Sequence, residues 1–315
     1  DYVMTENQEK IKTIIDNIEK TFLGKRDVIT MLMIACLARG HVLIEDVPGV
    51  GKTSLAKALA MSFDSSFKRI QFTPDTTPSD VVGFSMYDVK ANEFKYIEGA
   101  VLNNIVLADE LNRTSPKTQS ALLEAMQEGK VTVDGQTHDI PVPFMLIATQ
   151  NQAEQFGTYP LPESQLDRFM MVMSIGYPDE DSSVNIVDGA SLNPEIETVA
   201  SNETLLELQN AADKVFMDTK ISQYIVRIAM ATRENRFIQT GISIRGTLLM
   251  ARAAKAKALI EGRDFVTPDD IKYLLHPVFD HRLTLNREGT TLHSSPAELI
   301  TDIIRYVRVP EFSKQ

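Results

Sequence analysis

The segment from His41 to Ala60 constrains this chain more than any other. The apolar run His41-Val42-Leu43-Ile44 passes through Asp46-Val47-Pro48-Gly49-Val50-Gly51 into Lys52-Thr53 and the helix-forming stretch Ser54-Leu55-Ala56-Lys57-Ala58-Leu59-Ala60. A buried strand that turns through glycines into a helix belongs to an α/β fold with a parallel sheet, whose ligand lies beyond the strand ends. Gly49 and Gly51 let the backbone curl so that successive N–H groups point inward. The helix N-terminus adds partial positive charge, and Lys52 can reach β- and γ-phosphates. Thr53 is placed to offer a hydroxyl to Mg²⁺. Pro48, Gly49, Val50, Gly51, Lys52, Thr53 and Ser54 are therefore the expected nucleoside triphosphate site. Asp46 stands where the usual pattern begins with glycine.

A second run, Asn104-Ile105-Val106-Leu107-Ala108-Asp109-Glu110, reads as a strand buried on both faces and ending in two acids. Its position some fifty-odd residues after the phosphate loop is what makes the pair informative. Asp109 is expected to hold Mg²⁺ through its water shell, alongside Thr53. Glu110 is expected to polarise the attacking water. The second acid separates hydrolysis from mere binding or transfer of phosphate to another substrate.

Turn and cap signals outline the rest. Ser115-Pro116 starts a helix that runs to Gly129. Asp134-Gly135 marks a hairpin within Lys130 to Ile140, and Phe84 to Ile97 reads as a second hairpin. Phe67–Phe72, Phe144–Thr149 and Met170–Ile175 read as further strands. From about Leu192 onward amphipathic helices take over. The cluster of Pro, Asp, Ser and Gly between Pro178 and Asn193 suggests a boundary, giving an α/β domain over 1–190 and a helical domain over 191–315. The single cysteine, Cys36, lies in an apolar stretch and can form no internal disulfide. No apolar run approaches the length of a membrane span, and a reducing cytoplasm is the expected location. A formal net charge of −11 argues against nucleic acid as the partner.

With both nucleotide motifs placed, the chain resembles the MoxR family of AAA+ ATPases. The stretch from Leu107 to Glu128, LADELNRTSPKTQSALLEAMQE, carries most of the resemblance. Arg69-Ile70-Gln71-Phe72-Thr73-Pro74-Asp75 and Gly262 to Ile271 match the family as well. The resemblance implies an AAA+ P-loop core with a parallel sheet, a smaller all-α helical lid, and ring-shaped hexamers. It implies ATP as the nucleotide, with Mg²⁺. By the same resemblance Asn151 is similar to sensor 1, Arg168 to an arginine finger that serves a neighbouring subunit, and Arg245 to sensor 2, linking lid and phosphates. The family commonly has proline where Gln152 and Ile244 stand. The two hairpins resemble inserts that relatives turn toward the ring pore. Protein clients are implied, with von Willebrand factor A domain proteins as the partner class.

The leading expectation is thus a Mg²⁺-dependent ATPase that drives chaperone-like remodelling or maturation of partner proteins. A nucleotide-gated assembly scaffold with negligible hydrolysis is the alternative. A DNA-directed motor is disfavoured by the acidic composition, and a small-molecule kinase leaves Glu110 and Arg168 without a role.

Overall fold

The computed structural model describes residues 5–22, 24–45, 49, 51–151, 156–189, 195–293 and 295–312. Helices α1 (Glu6–Glu19) and α2 (Arg26–Leu37) precede strand β1 (Val42–Glu45) and helix α3 (Lys52–Ser62). Strand β2 (Phe67–Gln71) and helix α4 (Pro78–Val82) lead into the hairpin β3 (Gly83–Asp88) and β4 (Glu93–Glu98). Then come β5 (Ile105–Asp109), α5 (Pro116–Glu128) and the hairpin β6 (Lys130–Val133) and β7 (Gln136–Asp139). Strand β8 (Met145–Gln150), α6 (Glu163–Leu166), β9 (Met171–Met173) and α7 (Glu180–Val187) follow. The remainder comprises α8 (Asn202–Asp213), α9 (Thr219–Glu234), β10 (Ile238–Thr240), α10 (Ile244–Ile260), α11 (Pro268–Phe279), β11 (Thr284–Leu285), α12 (Arg287–Leu292) and α13 (Pro296–Ile304).

Five parallel strands form one sheet in the order β2-β5-β8-β1-β9. The period of two along each strand divides the core between its faces. Val42 and Ile44, Ile105 and Leu107, and Met145 and Ile147 join α1, α2, α3 and the later helices in one apolar cluster. Leu43, Val106 and Ala108, and Leu146 and Ala148 pack with Leu122, Leu123 and Met126 of α5 on the other face. Residues 42–44, 105–108 and 145–148 are therefore apolar at every position, as strands covered on both sides require.

The caps foreseen in the sequence are present. Ser115 accepts a hydrogen bond from the Thr118 N–H at the start of α5, and Gly129 ends that helix in the left-handed conformation. The hairpin β6–β7 leaves directly from this cap. Tyr96 of β4 stacks on His138 of β7, with ring centroids 3.7 Å apart and planes 9° from parallel, so the two hairpins touch.

The later helices dock on the first two. Gln209 donates to the Cys36 carbonyl at 2.9 Å, and Asn17 donates to Ser62 and to the Glu197 carbonyl. Among them lies a two-stranded antiparallel sheet of β10 and β11, which the helical pattern of the sequence did not signal. Both strands are only two or three residues long, too short for alternation to register. The expected boundary at 190 and 191 falls on residues outside those described.

Candidate active site

The carboxyl ends of β1, β5 and β8 lie side by side, which brings Glu45, Asp109 and Gln150 to one edge of the sheet. Gly51 forms the N-cap of α3 with φ +89°, and Gly49 has φ +86°. A Cβ on Gly51 would also sit 2.8 Å from a ring carbon of Phe22, so conformation and space both demand glycine there. Lys52, Thr53 and Ser54 make the first turn of α3, partly exposed. Their helix end leaves backbone N–H groups without partners inside the helix, which suits a bound anion. Pro48 and Val50 lie outside the described residues. The donors that are described fit a triphosphate.

Asp109 ends β5, and Glu110 follows in the left-handed region at φ 55°, ψ 53°, a conformation that costs a non-glycine residue energy. Thr149, fully buried in β8, spans both acids. Its hydroxyl donates to Asp109 Oδ1 at 2.7 Å and accepts the Glu110 N–H at 2.9 Å. Arg69 donates to Asp109 Oδ2 through Nη2 at 2.7 Å. Gln71 donates to Glu110 Oε2 at 2.7 Å, and Arg113 stands 3.5 Å from the same oxygen. Arg69 and Gln71 alternate along β2 beside β5, which is why both reach its acidic end. Reading motifs alone had left Thr149 without a role. Its signal was a hydroxyl two positions before Asn151, at the end of the apolar run over residues 145–148.

Asn151 follows β8 at this same edge. Its carbonyl accepts from Asn112 Nδ2 at 3.3 Å. Gln119 of α5, fully buried, donates to the carbonyls of Leu111, Thr114 and Tyr159, fastening the turn after Glu110 to α5 and to the segment after Asn151.

Arg168 and Arg245 occupy the opposite edge. The Met170 and Met171 N–H groups bond to the His41 carbonyl just before β1, so the approach to β9 lies at the amino ends of the strands. Asp167 accepts from Ser243 Oγ at 2.7 Å and from Arg282 Nε at 2.9 Å, and it pairs with Arg245 at 3.4 Å. Arg282 also donates to the carbonyls of Asp167 and Phe169, which clamps this segment to the lid. Burial lowers the Arg282 guanidinium to about 10, with Asp167 opposing the shift. The side chain of Arg168 makes no hydrogen bond or ion pair with any described residue. A four-residue strand separates this edge from the phosphate-loop edge, about 13 Å at 3.3 Å per residue.

A cavity of about 1040 Å³ lies beyond the outer edge of β9. Val28 and Met31 of α2, Met173 of β9, Ser174 just after it and Tyr273 of α11 are among its walls, and it extends to Glu45 at the end of β1.

The comparisons with known proteins agree with this architecture. Residues 41–171 match the model of the ATPase family associated with various cellular activities (AAA), and residues 230–303 match an AAA lid domain. Chaperone MoxR1 of Mycobacterium tuberculosis is 36% identical over 96% of this chain and 82% of its own length. The chain belongs to the MoxR family of AAA+ ATPases. An uncharacterized protein of Bacillus subtilis, YeaC, is 47% identical over 94% of this chain and 93% of its own. A crystal structure from Cytophaga hutchinsonii, solved as a candidate ATPase, superposes with a TM-score of 0.89 at 38% identity, covering 97% of this chain and 96% of that one. The AAA+ core, the lid and the MoxR membership are thereby established. No helix among the described residues is long and apolar enough to cross a membrane.

Proposed function

We propose that this MoxR-family chain hydrolyses ATP with Mg²⁺ in a ring of identical subunits, a hexamer, and uses the turnover to remodel partner proteins. One observation carries the reading: the functional side chains divide between two edges of one sheet. Lys52, Asp109, Glu110 and Asn151 stand at the strand ends, while Arg168 and Arg245 stand at the strand starts with the finger side chain unpaired among the described residues. A four-residue strand lies between the two sets, and in this reading the second set serves a neighbour's nucleotide. A head-to-tail ring brings the second edge of one subunit to the first edge of the next.

In this reading the segment Pro48, Gly49, Val50, Gly51, Lys52, Thr53 and Ser54 holds the phosphates, and the cavity beside β9 takes the base. Thr53 and Asp109 would hold Mg²⁺, which supplies neutralisation of the β- and γ-oxygens. Glu110 orients and deprotonates the attacking water, and Asn151 positions it. Arg168 and Arg245 reach the neighbour's γ-phosphate. In this reading Arg245 stands between subunits and links the lid to a neighbour's phosphates. A finger supplied in trans accelerates turnover by about 10³–10⁵-fold, on the order of 4–7 kcal/mol of barrier. The division into a nucleotide-binding part over 1–190 and a lid over 191–315 belongs to the same reading. So do a cytoplasmic location and a protein client, with a von Willebrand factor A domain as its proposed class. The chaperone name of the Mycobacterium tuberculosis relative supports the client.

Mixing two inactive variants tests the site between subunits. Glu110→Gln keeps the finger and loses the base, and Arg168→Ala does the reverse. Each alone should be inactive, and an equimolar mixture should regain activity at about a quarter of its interfaces. A mixture as inactive as its components, with ring assembly intact, would sink the trans assignment.

The gated scaffold is favoured by one contact, the hydrogen bond from Gln71 that holds Glu110. Negligible turnover in both wild type and Gln71→Ala, with ATP bound and assembly complete, would put that reading ahead.

A further inference from the structure

The outer face of α9 and the segment after α13 enclose a groove that the nucleotide reading does not use. Helix α9 buries Ile221, Tyr224, Ile225, Ile228 and Ala229 and turns Gln223, Val226, Arg227 and Met230 outward. The chain after α13 returns along its first turns. Lys220 donates to the Glu311 carbonyl at 3.0 Å and lies 5.4 Å from the Phe312 ring centre. Between them is a cavity of about 510 Å³ walled by Lys220, Gln223, Arg227, Arg308 and Glu311. It shares Gln223 and Arg227 with a neighbouring depression of about 380 Å³, which adds Val226 and Met230. From Lys220 to Met230 the groove runs about 15 Å at the helical rise per residue.

Its charge is the reverse of the molecule's. Three cations face one carboxylate here, in a chain with a formal net charge of −11. Neither Arg227 nor Arg308 makes a hydrogen bond or ion pair with any described residue. Elsewhere Arg26, Arg39, Arg69, Arg236 and Arg263 each hold a carboxylate. Guanidinium groups left open in a concavity suit carboxylates, which they can grip in pairs. The other end of the groove is apolar, with Val226 and Met230 nearly half exposed one helical turn apart. A small free anion would use only the cationic end. A segment carrying acids at one end and apolar residues at the other would fill both.

We infer that this face of the lid docks an acidic, amphipathic segment of a partner protein. The site lies on a helix packed against other lid helices, so docking leaves the nucleotide edge open. It offers a place for a client or regulator to be held during turnover, but binding itself does not require ATP hydrolysis.

The test is fluorescence anisotropy on the full chain without nucleotide. The probe is a labelled helical peptide with leucines along one face and glutamates clustered at one end. Saturable binding is expected, weaker by about tenfold or more in Arg227→Glu/Arg308→Glu and weakened again by Met230→Asp. The doubly reversed variant should instead bind the same peptide with lysines replacing its glutamates. ATP turnover measured on every variant keeps this test separate from the hydrolase reading. Absence of saturable binding to the wild type, or indifference to charge reversal, overturns the inference. So does equal binding of a leucine-free acidic peptide displaced by tripolyphosphate, which would mark a plain anion site. Preferential binding of a single-stranded oligonucleotide would overturn it in favour of nucleic acid.

Discussion

Asp270 inside the lid and the pair Asp109 and Glu110 at the strand ends are held by similar groups, yet their oxygens are used differently. Asp270 is fully buried and accepts four close bonds: from Lys257, twice from Arg263, and from the Thr267 N–H. Every lone-pair site of that carboxylate is occupied. Burial pushes its carboxyl up, but the bonds from Arg263, Thr267 and Lys257 outweigh it and hold it below the ordinary range. Glu110, by contrast, offers Oε2 to Gln71 and Arg113 and has no bond to Oε1 from a described residue. Its backbone is held in a strained conformation that Asp270 has no need of. A saturated buried acid maintains a fold; an acid with a spare oxygen at an open edge is available for chemistry.

The largest effect that would sharpen this contrast is on rate. Glu110→Gln should lower ATP turnover by about 10²–10⁴-fold, with the melting temperature almost unchanged. Asp270→Ala should do the opposite. It leaves Lys257 and Arg263 without their buried partner and should cost about 3–5 kcal/mol, lowering the melting temperature by roughly 10 °C in a thermal scan. Equal thermal losses in the two variants would break the comparison.

Acid should separate the clusters too. Burial depresses His41 to about 3, helped by nearby Arg252, and depresses His281 to about 3, helped by Arg282. Below their ordinary value of 6.5 the unfolded chain takes up protons that the folded chain refuses, so stability falls as pH drops from about 6.5 toward 3. Asp270 contributes above its ordinary value of 3.8, and that contribution goes only as pH falls through its lowered folded value. Melting temperature should therefore decline between pH 7 and pH 5 in the wild type, and less so in His41→Asn.

Thr149→Val should reduce kcat by about tenfold, because Asp109 and the Glu110 backbone lose a shared partner, while Thr149→Ser should recover most of it. A drop in thermal stability alone, with kcat intact, would make Thr149 structural. The smallest effect is expected from Gln71→Ala, a rise of about two- to threefold in basal turnover as Glu110 is released.

Much of this was legible in the sequence. Residues 42–44 and 105–108 are apolar at every position, as a short strand covered on both faces requires. The helix signal at Ser115-Pro116 and the hairpin signal at Asp134-Gly135 each rest on local backbone preferences, which the fold leaves in force. The lid's motif from Gly262 to Ile271 was visible as a resemblance, but its physical reason, the saturation of Asp270, needed Lys257 from another helix. The placement of Arg245 was hidden for the same reason. No spacing along the chain states that Ser243, Arg245 and Arg282 gather on Asp167. Thr149 was missed because a single threonine on a strand looks like ordinary strand chemistry until its neighbours across the sheet are known.

Helix α5 begins just past the turn that follows Glu110 and ends where β6 departs. Gln119 bolts its first turns to that turn, and Tyr96 on His138 couples the far hairpin to its companion. Mechanically this is a shaft about 20 Å long with a double-bladed paddle at its tip. A tilt of about 5° at the acid end would swing the blades by roughly 2 Å, and both would swing together. Any load met by one hairpin is thus shared by the other and felt at the base of the shaft.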